Sequence, residues 1–467
     1  MRIRSFALAP AFALALAAAP LTAHGQDLPP DVAAFRALYQ ELIETNTTLS
    51  AGDCTLAANR MAAHLRAAGL PDKDITLIAP DQDKRFGNLV AVLPGTDPKA
   101  KAVLMLAHLD VVEAKAEDWG RDPFKLEEKD GFFIARGATD DKAMAAIFVD
   151  AMMRFKQEQY RPRRTIKLAL TCGEETPNTF NGAEYLVKTH RTLIDAQLAL
   201  NEGGSGLMSA DGTRVFNGVQ AGEKVYQDFT LEVTNPGGHS SRPQKANAIY
   251  QLATALKKIE AYEFPIEFNA ATRGYFEKMA AIRGGAVGAD MKAILAKTPD
   301  PAALARLKED PGLNSILHTT CVATMLNAGH APNALPQRAT ANVNCRIFPG
   351  HRQDEIKAQL EAVIGDPAVR VSFTDPPETF SPPPKLTPAV MGPIEKLTAE
   401  MWPGVPVVPL MASGATDGRF LTPAGIPTYG VSGIFADPNN TRAHGLNETV
   451  PVQSLYQGRD FLYRLVK

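Results

Sequence analysis

The sequence predicts an α/β protein with a second, α+β domain inserted into the first. Three observations lead there. Over roughly the first two hundred residues, apolar strand-like runs alternate with stretches of helical periodicity, as they do around a largely parallel sheet. From about residue 222 the pattern changes to period-two alternation, which marks half-exposed antiparallel strands. The chain of 467 residues is also longer than one hydrophobic core usually supports.

The elements follow in order. Residues 31–69 read as helices, with apolar side chains at helical spacing in Val32, Phe35, Leu38, Tyr39 and Leu42, and again in Ala57, Met61 and Leu65. Residues 88–93 read as a strand before a Pro-Gly turn, and 101–107 as a buried strand ending at His108. Residues 143–155 read as a helix, 165–171 as a strand ending before Glu174, 183–189 as a helix, and 198–200 as a strand ending before Glu202. Each polar residue thus follows the carboxyl end of an apolar strand, the edge at which open α/β sheets bind ligands. Residues 225–233 and 340–347 alternate, 246–259 and 352–363 read as helices, and 369–373 as a last strand. The segment 264–320 is polar and helical. A proline-rich stretch, 376–384, leads to a helix at 388–402 and a return to the first domain. The expected division is a leader at 1–25, the first domain at 26–221 and 376–467, and the insertion at 222–375.

The leader is expected from Arg2 and Arg4, the apolar run 6–21 and the small residues near Gly25, the pattern of a cleaved export signal. The apolar run is short of the roughly 20 residues a membrane span needs. The protein is therefore expected to be exported, to a periplasm or the medium, with no lasting membrane anchor. A net charge of −2 supplies no electrostatic footprint for nucleic acid. Cys54, Cys172, Cys321 and Cys345 are too few and scattered for a disulfide framework. One pair, Cys321 with Cys345, fits an oxidising compartment; buried free thiols fit equally well.

The chemistry-bearing residues lie in short clusters. His108-Leu-Asp110 offers an imidazole with a carboxylate that could orient it. Asp140-Asp141 could cap a helix or bridge two metals. Glu174-Glu175 could be an acidic turn, or a pair in which one carboxylate binds metal while the other moves a proton. Glu202 precedes two glycines, and His444 lies in a C-terminal loop. Singly, each reads as an ordinary turn or cap. Together they supply imidazole and carboxylate donors at element ends, a set that suits zinc, with cobalt or manganese as alternatives. No Gly-x-Ser-x-Gly elbow of a serine hydrolase is present.

These clusters, with Arg136-Gly-Ala-Thr-Asp140-Asp141-Lys142, Gly237-Gly238-His239-Ser240, Ser413-Gly-Ala-Thr-Asp417-Gly-Arg-Phe420 and Arg442-Ala-His444-Gly445, resemble the M20 family of metallopeptidases across the mature chain. The resemblance implies a zinc-exopeptidase-like three-layer catalytic domain with an inserted lid and dimerisation domain. It implies two zinc ions per subunit, one held by His108, Asp140 and Glu202, the other by Asp140, Glu175 and His444. It further implies a cis bond between Asp140 and Asp141, Asp110 orienting His108, and Glu174 as general base. His239 would reach a neighbouring subunit's site in a homodimer and help stabilise the oxyanion. Arg346 would grip a substrate carboxylate, with Asn333 and Gly414 as weaker substrate contacts. By the same resemblance, glutamate at 202 marks carboxypeptidase and acylase-type members rather than aminopeptidases, and the segments 264–320 and 333–346 look most like the carboxypeptidase S branch, which includes N-acyl amino acid hydrolases. The expected activity is cleavage of peptide or amide bonds in small substrates with a free carboxylate, as in a carboxypeptidase or dipeptidase. The alternatives are an N-acyl amino acid amidohydrolase and a non-catalytic binding protein on the same fold.

Overall fold

The computed structural model describes residues 28–467 apart from 177–178, 378–379 and 381; the expected leader lies outside the described residues. The core of the molecule is a ten-stranded sheet among the described residues. Its centre is parallel: Ile166–Thr171, Val103–His108, Leu198–Asn201 and Thr428–Gly430 lie side by side. One edge is antiparallel, where Asn88–Leu93 pairs with Ile166–Thr171 on one side and Ile75–Ile78 on the other.

The strand Val103–His108 shows why the run is apolar throughout. Met105 and Ala107 enter one core, shared with the helices Pro30–Ile43, Cys54–Ala67, Lys142–Gln157 and Val452–Val466. Leu104 and Leu106 enter another on the opposite face, shared with Ala183 and Leu186 of the helix Gly182–Thr189 and with Leu421. A strand covered on both faces loses polar alternation, and the result is the three-layer arrangement expected.

The inserted domain is built on a four-stranded antiparallel sheet in the order Thr320–Ala328, Arg338–Ile347, Val225–Thr234, Val369–Phe373. Phe229, Leu231 and Val233 alternate inward with Ala341, Val343 and Ile347, and the helices Ala248–Ala261 and Gln353–Ile364 cover that face. The opposite face carries Asp228, Asn342, Asn344 and Arg346.

Two expectations need correction. The helical segment 264–320 falls within the span assigned to the insertion, yet it packs on the catalytic sheet. Phe276, Met279, Met291, Ile294 and Leu307 share a core with Phe216 and Val408 of the large sheet. A Cβ on Gly274 would lie 2.7 Å from Pro409, so glycine lets the helix Ala270–Arg283 sit close on the strand Val407–Ala412. Amphipathic periodicity shows that a helix buries a face but not against what. The second correction concerns cysteine. Both pairs are disulfides, Cys321–Cys345 across adjacent strands and Cys54–Cys172 over a separation of 118 residues. Nothing local announces the latter, because helix start and strand end meet only in the folded protein.

Candidate active site

At the carboxyl edge of the parallel strands, His108 ends one strand and is buried. Its Nδ1 lies 3.0 Å from the Asp110 backbone carbonyl, to which it can only donate. Nε2 then faces Asp140 Oδ1 at 3.1 Å and Glu202 Oε1 at 3.7 Å. Between two carboxylates it either carries a proton or, neutral, offers its lone pair to a cation held with them. Burial opposes a charged His108, but Glu202 and Asp140 outweigh it and hold the ring's pKa well above its usual value.

Asp140 faces a second imidazole with its other oxygen: His444 Nε2 lies 3.1 Å from Asp140 Oδ2 and 3.0 Å from Glu175. These two carboxylates lift His444 to about 10 against the burial that would lower it. For Asp140, burial is the largest influence and raises its pKa, but the two imidazoles together hold it below the ordinary carboxylate range. The residues therefore form two three-donor groups sharing Asp140: His108, Asp140, Glu202 and Asp140, Glu175, His444. Within each, the donor atoms lie within 4.8 Å of one another. Two imidazoles and three carboxylates in such groups fit a pair of divalent cations. The Asp140–Asp141 bond is cis.

Asp110 holds the neighbouring turn. Its carboxylate accepts the N–H groups of Gly173 at 2.7 Å, Glu174 at 3.3 Å and Glu175 at 2.9 Å. Its contact with the His108 ring is through the backbone carbonyl, the carboxylate being 3.8 Å away. The expected orienting role is thus divided: the main chain of Asp110 sets the imidazole and its side chain sets the glutamate turn. Burial drives Glu174 up to about 9, helped by Glu202, Asp417 and Glu175 and opposed by His108. Burial likewise raises Glu202.

Three supporting groups were not singled out from the sequence. Glu448, fully buried, accepts N–H groups of Gly137, Thr139 and Asp140 and pairs with Arg136 at 2.7 Å. It shapes the loop that presents Asp140. Asp417, also buried, accepts from Thr171 at 2.8 Å and Asn181 at 2.7 Å, beside Glu174. Glu223 accepts the Thr416 N–H at 2.8 Å, and burial raises it to about 8. Asp417 stands within a motif already quoted and Glu448 just beyond another, but an acid in a loop carries no sign of which backbone it will hold.

The remaining sequence candidates lie elsewhere. His239 is exposed in the short strand Gly238–His239, which pairs with Ala334–Leu335; its Nδ1 accepts from Ser241. Asn333, also exposed, accepts the Ser240 N–H through its carbonyl on the same ribbon. Arg346 lies over the Tyr226 ring, 4.6 Å from its centroid, on the open face of the inserted sheet. Gly414 is exposed, and a Cβ there would meet open space. His318 is held by Asn314 and the Thr319 carbonyl, as a structural histidine would be.

The model of peptidase family M20/M25/M40 matches residues 104–467. The chain belongs to this family. It is 28% identical over 386 residues to human N-fatty-acyl-amino acid synthase/hydrolase PM20D1, covering 80% of this chain and 75% of the relative. It is 27% identical over 393 residues to a probable carboxypeptidase S-like protein 2 of Dictyostelium discoideum, covering 81% and 74%. Among solved structures, a metallo-carboxypeptidase of the M20 family from Sulfolobus solfataricus superposes with a TM-score of 0.67 at 18% identity, covering 92% of this chain and 98% of that one. The chain is accordingly a hydrolase of C–N bonds in a metal-dependent family.

Proposed function

We propose that this protein is an N-acyl amino acid amidohydrolase working with two zinc ions, in which one water adds across the amide to release a carboxylic acid and a free amino acid. The observation that carries the two-metal chemistry is Asp140, whose two oxygens face two separate imidazoles. The acyl-amino-acid substrate is supported by the first relative's name, and a peptidase acting at a C-terminal residue, the activity expected first from the sequence, uses the same site chemistry. Human PM20D1 is named for hydrolysis of N-fatty-acyl amino acids, and the Sulfolobus protein is a carboxypeptidase; both substrate types present an amide beside a free carboxylate.

His108, Asp140 and Glu202 would hold one cation, and Asp140, Glu175 and His444 the other. Bound there, the pair supplies Lewis acidity toward a water and a carbonyl oxygen. Glu174 does the proton work: it accepts the proton of the attacking water and delivers it to the leaving nitrogen. Its buried setting and its backbone, tethered by the Asp110 carboxylate, hold it in place for that transfer. Arg346 would bind the substrate carboxylate by its planar fork, with Asn333 and Gly414 beside it. His239 of a second subunit would stabilise the oxyanion. A homodimer is supported by the edge strand Thr320–Ala328, which leaves Val322, Met325 and Leu326 more than half exposed; unpaired apolar edges seek a partner. Export to an oxidising compartment is supported by the two disulfides.

The test is metal content together with hydrolysis of N-acyl amino acids and matched dipeptides, before and after chelation. Two zinc per chain and chelator-sensitive release of amino acid from the acyl substrates are expected. Activity confined to dipeptides would move the assignment to the peptidase, and no metal with no turnover would overturn both.

A further inference from the structure

On the open face of the inserted sheet, the strands Val225–Thr234 and Arg338–Ile347 set Tyr226 opposite Arg346 and Asp228 opposite Asn344. Residues two apart on a strand share a face, so these side chains form two adjacent cross-strand pairs. The Asp228 carboxylate joins them. Its Oδ2 accepts the Tyr226 hydroxyl at 2.6 Å, and its Oδ1 accepts the side-chain amides of Asn344 at 2.8 Å and Asn342 at 3.0 Å. Burial would raise its pKa, but those hydrogen bonds and the nearby Arg346 outweigh it and hold the carboxyl below its ordinary value. Asp228 is thus an anion spent on orienting its neighbours.

Only two contacts hold Arg346, and both lead back to that carboxylate. The guanidinium lies over the Tyr226 ring, 4.6 Å from its centroid, and its Nε donates to Asn344 Oδ1 at 3.4 Å. Asp228 takes the Asn344 amide nitrogen, which turns the amide oxygen toward Arg346. It fixes the Tyr226 ring through the hydroxyl. The two terminal nitrogens of Arg346 have no hydrogen-bond partner among the described residues. The guanidinium is therefore held by one face and by its inner nitrogen. Its outer edge, which can meet a carboxylate by two parallel N–H···O bonds, is open. A loose surface arginine would give up its rotamer freedom on gripping a ligand; the Tyr226 and Asn344 contacts take part of that loss in advance.

We propose that Asp228 is a positioning residue for substrate binding: through Tyr226 and Asn344 it presents the outer edge of Arg346 to the free carboxylate of the substrate. The inference rests on the reading of Arg346 as the carboxylate grip and adds the residues that set its aim. Selection for a substrate carboxylate then depends on a second carboxylate, which never touches the substrate. The metal donors and Glu174 belong to the other domain, so losing Asp228 weakens binding and spares the chemical step.

The experiment uses the full-length, metal-loaded enzyme with N-acetylphenylalanine and with N-acetylphenethylamine, the same amide without the carboxylate. Arg346→Ala should raise KM for N-acetylphenylalanine about ten- to a hundredfold, the scale of hydrogen bonds to a charged group. Asp228→Ala should raise it about tenfold, with kcat little changed and the phenethylamide cleaved as by the wild type. Asp228→Asn keeps the shape and one acceptor oxygen and should recover part of the loss. In the Arg346→Ala background, Asp228→Ala should add nothing, because a positioning residue has no effect once the group it positions is gone. A merely structural role would lower kcat on both substrates and add to the Arg346→Ala effect. That result, or an unchanged KM in Asp228→Ala, would overturn the proposal and leave the Arg346 grip standing. A wild-type KM in Arg346→Ala would remove the grip and the positioning role with it. If N-acetylphenylalanine is not cleaved, the amidohydrolase reading fails, and calorimetric binding of free phenylalanine decides. Affinity lost in both Arg346→Ala and Asp228→Ala supports the positioning role; no binding, or equal binding in all three proteins, overturns it.

Discussion

The catalytic edge of the large sheet and the open face of the inserted domain carry the same kinds of residue under opposite conditions. At the catalytic edge, His108 is 1% exposed, Asp110 holds three backbone N–H groups, and Glu448 holds three more behind Asp140. In the inserted domain, His239 and Asn333 are exposed on a two-stranded ribbon, and Arg346 rests on a tyrosine ring. The first region is preorganised, each donor oriented by hydrogen bonds before anything binds, which is what metal binding and proton transfer demand. The second is exposed, its side chains held by few and local contacts. The difference teaches that the candidate metal donors are assembled and held within one chain, whereas on the proposed function the grip on the substrate and on the oxyanion would come from the exposed residues of the inserted domain.

The sharpest way to break that comparison is Asp140→Asn. Because this residue serves both groups, metal analysis should show both ions weakened together and activity gone, whereas Glu175→Gln should weaken one. Glu174→Gln should lower kcat by roughly 10²–10⁴-fold, the scale of general-base loss, with metal content unchanged by elemental analysis; retained turnover would remove it from the mechanism. His239→Ala should cost about 10²-fold in kcat, the scale of one oxyanion donor, and leave metal content alone. Mixing it with a Glu174→Gln variant should restore part of the activity if subunits exchange, because some mixed dimers then hold one complete site.

Smaller effects test the scaffold. Cys54–Cys172 ties the start of a helix to the turn that precedes Glu174. The double Cys→Ser variant should lose about 5 kcal/mol of stability, against about 3 kcal/mol for the Cys321–Cys345 pair, because it closes the longer loop; denaturant unfolding would compare them. Lys224 is fully buried at the junction of the two domains, donates to the Ser315 carbonyl at 2.7 Å, and burial lowers its pKa to about 7. Its unfolded form keeps the ordinary lysine value, so the unfolded chain binds the extra proton between pH 7 and about 10. The cost of burying Lys224 is therefore full below pH 7 and relieved as pH rises. Relative to Lys224→Met, the wild type should gain on the order of 2 kcal/mol between pH 6 and pH 10, read from melting curves at the two values.

How much was legible varies by region. The strand 369–373 and the alternating run that became Val225–Thr234 were readable because a two-sided sheet writes its burial into every second residue. The motif residues at 108, 140, 174, 175, 202 and 444 were nameable because the resemblance is carried by short, ordered segments. Asp417 and Glu448 were not, since their work is to accept hydrogen bonds from backbone far away in the chain. Asp110 was half legible: its neighbourhood with His108 was evident, but not that its carboxylate turns to the Gly173–Glu175 backbone.

The sequence by itself determined the periodicities, the α/β and α+β halves, the class of metal-binding chemistry and the residue types that perform it. Those depend on side-chain character and local spacing, which the chain carries wherever it goes. Only the tertiary structure decided that Asp140 faces two imidazoles at once, that Cys54 meets Cys172, and that the helices after 264 roof the catalytic sheet rather than the lid. Each of these depends on which distant surfaces come together. That choice is made by burial summed over the whole chain, and no local pattern records it.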